Sequence, residues 1–108
     1  MKKILRTFLL FFSLIAFASC GSATLAQKKD ESGIHYRLGV VHLNENNITE
    51  ALKELTTAIE IYPDEPVYHN ALGLAYFARS MNEEAKRSIK KAIDLKPEFS
   101  EAHVALSA

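Results

Sequence analysis

The chain has a single cysteine and no tryptophan, and its 13 basic residues are balanced by 13 acidic ones. One cysteine closes no internal disulfide and leaves no room for a paired-thiol metal or redox motif. The strings that announce a nucleophile elbow, a P-loop or a zinc-protease helix are absent too, which argues against catalysis. The acidic side chains are scattered at spacings typical of solvated helix faces and do not converge on a pocket. Without an excess of positive charge there is no footprint for nucleic acid and no polybasic patch for anionic lipid. The one basic cluster, Lys86-Arg87 with Lys90-Lys91, reads as a solvated helix face. Long apolar runs are scarce as well. Phe8 to Ala18 is interrupted only by Ser13 and makes roughly 16 Å of helix at about 1.5 Å per residue, half of a bilayer's hydrocarbon thickness. A permanent transmembrane helix is therefore not expected.

The start of the chain is a different regime from the rest. Lys2, Lys3 and Arg6 precede the apolar run with no acid among them, the layout of a secretory signal over residues 1–19. Its removal would leave ten basic against thirteen acidic side chains, a net charge of −3. Cys20 follows at once, in Phe17-Ala18-Ser19-Cys20-Gly21. This string resembles the bacterial lipobox, with Phe17 where that pattern usually carries Leu, Val or Ile. The resemblance implies that the Cys20 sulfur takes a diacylglycerol and becomes the new N-terminus. The alternative is cleavage after Ala16-Phe17-Ala18 by an ordinary signal peptidase, giving a soluble secreted or periplasmic chain. Residues 20–31 then read as the lipidated cysteine and a tether, mostly small or charged and without sustained periodicity.

From Ser32 onward the sequence matches itself at an offset of 34 residues: His35/His69, Leu38/Leu72, Gly39/Gly73, Glu50/Glu84, Ala51/Ala85, Ala58/Ala92, Ile59/Ile93 and Pro63/Pro97. Composition alone would give about two such identities. Ile48, Ala51, Leu52, Leu55, Ala58 and Ile59 recur at helical spacing with Glu54 and Glu60 off the stripe, which makes the second helix of the unit amphipathic. A glycine inside a helix costs about 1 kcal/mol relative to Ala, so Gly39 and Gly73 at one phase point to close helix packing. Asn47-x-x-Glu50 and Ser80-x-x-Glu83 are the expected capping boxes, and Pro63 and Pro97 the expected stops. Helices are expected near 33–45, 48–61, 67–79, 82–95 and 100–107.

The period and these positions resemble the tetratricopeptide repeat (TPR), whose pattern is W-x2-L-G-x2-Y, A-x3-F and P. Here it reads His35-x2-Leu38-Gly39-x2-His42, Ala51-x3-Leu55, Pro63, and again His69-x2-Leu72-Gly73-x2-Tyr76, Ala85-x3-Ile89, Pro97. The expected fold is an all-α helix-turn-helix solenoid with repeats at 32–65 and 66–99 and the start of a third at 100–108. His35, His69 and His103 fall at the pattern's aromatic position and are read as packing residues. Repeats stacked about 10 Å apart cannot bring three imidazoles within about 2.1 Å of one ion, so no metal and no cofactor are expected.

The resemblance further implies a concave groove that holds a peptide or helix of a partner protein. On this chain its positions are Gly33, Tyr36, Val40, Leu43 and Asn44, then Val67, Asn70, Leu74, Phe77 and Ala78. The groove is mostly apolar, and Tyr36, Val40 and Ala71 do not supply the Lys and Asn of a carboxylate clamp. With its signal, Cys20 and short tether, the chain also resembles the TPR lipoproteins of type IV pilus biogenesis, the pilotins that help an outer-membrane secretin assemble. That implies an outer-membrane lipoprotein facing the periplasm. A general periplasmic adaptor for cell-envelope enzymes and a self-associating secreted module are the rival expectations. The apolar Ala102, Val104, Ala105 and Leu106 imply that the array continues, or closes its open end on a second copy or a partner.

Overall fold

The structure, a computed structural model, describes residues 24–98 together with Lys3. Cys20, His103, the signal and the helix expected at 100–107 lie outside the described residues. The described chain folds as four α-helices: α1 (Leu25–Asn44), α2 (Ile48–Ile61), α3 (Pro66–Ala78) and α4 (Asn82–Leu95). α1 packs on α2 and α3 on α4, α2 packs on α3, and α1 reaches α3 directly. Two helix pairs are thus stacked, with α1 and α3 side by side. This is the TPR solenoid expected from the period.

The pairs close because small residues stand where backbones meet. A Cβ on Gly39 would lie 2.6 Å from Leu55 Cγ, and one on Gly73 would lie 2.6 Å from Ile89 Cγ1. Both neighbours are fully buried, with Ala51, Ala58, Ala85 and Ala92 beside them in sequence phase. The fully buried apolar core is therefore alanine and one branched chain per repeat, which is why a helix axis can approach so closely.

The turns inside the two repeats share one geometry, and it corrects the expected capping boxes. Asn46 and Ser80, 34 residues apart, both adopt positive φ, at 60° and 64°. Asn47 N–H donates to His42 O and Asn46 N–H to Leu43 O, while Met81 N–H and Ser80 N–H do the same to Tyr76 O and Phe77 O. Each first helix therefore ends in a Schellman motif with a left-handed residue after the C-cap. Ser80 is spent on that position, so Met81 is the N-cap of α4. Asn47 is the N-cap of α2, but its side chain makes no capping bond. At the other end of each pair the expected stops hold: Tyr62 and Lys96 are extended, as a residue before proline prefers, and end α2 and α4.

The second correction concerns the segment read as a tether. α1 begins at Leu25, eight residues before the expected start. Thr24 caps it reciprocally: its Oγ accepts from Gln27 N–H at 3.2 Å, and its own N–H donates to Gln27 Oε1 at 2.9 Å. Lys29, in this added stretch, lies 5.3 Å above the Tyr62 ring, a cation–π contact that ties it to the end of α2.

Candidate partner-binding groove

The residues expected in the groove fall on α1 and α3 at helical spacing, Tyr36, Val40 and Leu43 on one and Asn70, Leu74 and Phe77 on the other. Their environments differ. Tyr36 and Leu43 are half-buried and pack on the cluster of Leu55, Ala71 and Ala75, and Phe77 packs on Ile89 and Ala92. These three are partly core. Val40 is half-buried, Asn44 is exposed at the last position of α1, and Leu74 is 42% exposed. Gly33 and Val67 are half-buried, and Ala78 is exposed. Leu74 is the most exposed large apolar side chain on α3.

Asn70 departs most from the expectation. It is 5% exposed, and its Oδ1 meets no donor among the described residues. A buried amide oxygen left unpaired costs about 1–3 kcal/mol. It stands one repeat on from Tyr36, so the two positions are equivalent in the array and opposite in chemistry.

What holds α1 against α3 was not foreseen in the sequence. Tyr36 and Tyr68 stack with centroids 5.1 Å apart and planes 29° from parallel. Tyr68 Oη lies 3.0 Å from Ser32 Oγ in a buried bond, and the Ser32 hydroxyl donates to Lys29 O at 3.0 Å. A hydroxyl has one proton, so Ser32 must accept from Tyr68. A serine at the first position of a repeat and a tyrosine at the third of the next are the only hints, and neither is distinctive.

The histidines at the aromatic position act differently in the two repeats. His35 Nδ1 lies 2.6 Å from Glu54 Oε2, joining α1 to α2, with both side chains largely covered. His69, 8% exposed, donates from Nε2 to the Pro63 carbonyl at 2.7 Å and fastens the turn between the repeats. His42 Nδ1 is buried and 3.8 Å from Glu45, beyond hydrogen-bond reach. Among the described residues no three His, Cys, Asp or Glu side chains are grouped to hold a metal ion. Nor is any described helix long and apolar enough to cross a membrane.

Two family models, each described as a tetratricopeptide repeat, match residues 32–65 and 67–99, together more than half of the chain. With two stacked helix pairs across these residues, the chain belongs to the tetratricopeptide-repeat family. No curated protein sequence matches it. Repeats of this family serve as scaffolds for protein–protein interaction, and the chain carries that architecture over residues 32–99.

Proposed function

We propose that this chain is a non-catalytic adaptor that holds a segment of a partner protein along the α1/α3 face. The observation that carries this is Leu74, 42% exposed on α3 with half-buried Phe77 three residues on, where a solvated helix would carry a polar residue. Tyr36, Val40, Leu43 and Phe77 supply the apolar floor and Asn44 a polar rim, while Asn70 stays beneath the surface. Leu74→Glu removes partner binding and leaves helicity, read by circular dichroism, unchanged. If helicity and binding fall together, Leu74 is a core residue and the groove reading is wrong.

In this reading the adaptor is exported and held at a bacterial membrane by lipid on Cys20, in the manner of the pilus-biogenesis lipoproteins it resembles. The signal layout and the position of Cys20 support that. Cys20→Ser then abolishes acyl mass on the mature chain and releases it from membranes; unchanged fractionation overturns the anchor. The specific rival is a soluble exported module cleaved after Ala18, supported by Ala16-x-Ala18.

A further inference from the structure

We infer that the outer face of α1 is a second docking surface, for an amphipathic partner helix that carries a carboxylate at the middle of its apolar stripe. Ile34, Leu38 and Val41 stand four and three residues apart on this face and are 51%, 44% and 49% exposed. It is turned away from Tyr36 and Leu43, so it is not the groove.

The internal repeat says what kind of object covers such a face. One repeat later the same positions are Tyr68, Leu72 and Ala75. Tyr68 is 6% exposed and Ala75 fully buried, and Leu72 packs on the cluster of Leu55, Ala71 and Ala75. The cover there is the preceding repeat: α2 packs Leu52 and Leu55 with Leu72, Ala71 and Ala75, while α1 brings Tyr36 and Ser32 to Tyr68. Repeat units bury their apolar faces only against neighbours, and α1 has no such neighbour among the described residues. Its complement is a helix with apolar residues three and four apart.

Arg37 selects among the helices of that kind. It occupies the position of Ala71, which is 6% exposed beneath Leu55. It is exposed, makes no ion pair among the described residues, and its Nη1 would lie 3.4 Å from a Cβ on Gly33. Covering an unpaired guanidinium with a leucine would strand a charge, at a cost of several kcal/mol. The apolar run Phe8–Ala18 has no carboxylate to offer. In a second copy, the α4 counterpart of Leu55 is Ile89, which likewise has no carboxylate to offer. A partner helix with Asp or Glu at the Leu55 position fits the face better than either.

The probes are two fluorescent peptides, residues 47–62 of this chain and the same peptide with Leu55→Glu, titrated by anisotropy into the full chain in lipid nanodiscs. The carboxylate peptide is expected to bind about tenfold more tightly than the unmodified one. Arg37→Glu inverts that order, Leu38→Glu weakens both, and Leu74→Glu changes neither. Equal binding of the two peptides overturns the inference, as does absence of binding. Loss in Leu74→Glu but not in Leu38→Glu places the peptides in the groove and overturns it too. Self-association of the chain that Leu38→Glu abolishes shows a second copy seated there instead.

Discussion

Gly39 and Leu55 meet so closely that a methyl group on the glycine would sit 2.6 Å from the leucine Cγ and 2.8 Å from its Cδ2. Gly73 repeats the relation with Ile89, and adds the Ala85 carbonyl at 3.1 Å from the same added methyl. Alanine gains about 1 kcal/mol of helix propensity over glycine, while forcing a filled contact apart costs about 1–3 kcal/mol. Gly39 also has a backbone neighbour, Leu55 N at 3.3 Å, but the Ala85 carbonyl stands closer to Gly73, and backbone cannot rotate away as a side chain can. Gly73→Ala is thus expected to lower the thermal midpoint more than Gly39→Ala, with a net loss of up to about 2 kcal/mol. Equal or raised midpoints for both variants would remove close approach as the reason for these glycines.

Ser80 pays a conformational cost that its counterpart Asn46 largely avoids, because asparagine tolerates the left-handed region and serine does not. Ser80→Gly should stabilise the chain by about 1 kcal/mol, and Asn46→Gly by less. Denaturant midpoints of the two variants, measured side by side, check the order. Helix content is unaffected in both, since each Schellman bond runs through backbone atoms.

The Ser32–Tyr68 bond has a direction, and the direction gives an asymmetry. Tyr68→Phe removes the donor but leaves the Ser32 hydroxyl bonded to Lys29 O, for a loss of about 1 kcal/mol. Ser32→Ala leaves a buried phenol with no acceptor and costs up to about 3 kcal/mol. A double variant less destabilised than Ser32→Ala alone, because the stranded phenol is gone, supports the assignment, and simple additivity contradicts it.

Thr24→Ala should fray α1 from its first turn at a cost of about 1 kcal/mol. Hydrogen exchange resolves this: amides of residues 25–31 lose protection, while those of α3 and α4 keep theirs. Protection already absent in the parent chain would count against the early start.

Much of this architecture was legible beforehand, and the exceptions share a cause. The identities at 34 residues fix the pairing of helices, and Pro63 and Pro97 end α2 and α4 where expected. Periodicity finds apolar faces, and residues 25–31 have none, because nearly all of that stretch is exposed. Its signature was instead chemical, Thr24-x-x-Gln27, a capping box of the same type expected at Asn47 and Ser80. At Ser80 the box failed because the preceding helix needed that residue in left-handed conformation, while Asn47 kept the N-cap position without a side-chain bond. The groove was legible as a set of positions but not as environments. A phase within the repeat places Asn70 and Leu74 on one face; only packing reveals that the first is covered and the second open.

The capped start at Thr24 changes the mechanics of whatever attaches at Cys20. A flexible segment of residues 20–31 would let the repeats wander over roughly 20 Å and turn freely. Only four backbone steps separate Cys20 from Thr24, a span of at most about 14 Å, after which the chain is a stiff rod continuous with the groove wall. The proposed lipid on Cys20 would therefore keep the start of α1 within about 14 Å of the anchor, and a pull on a segment held along α1 would reach it with little slack.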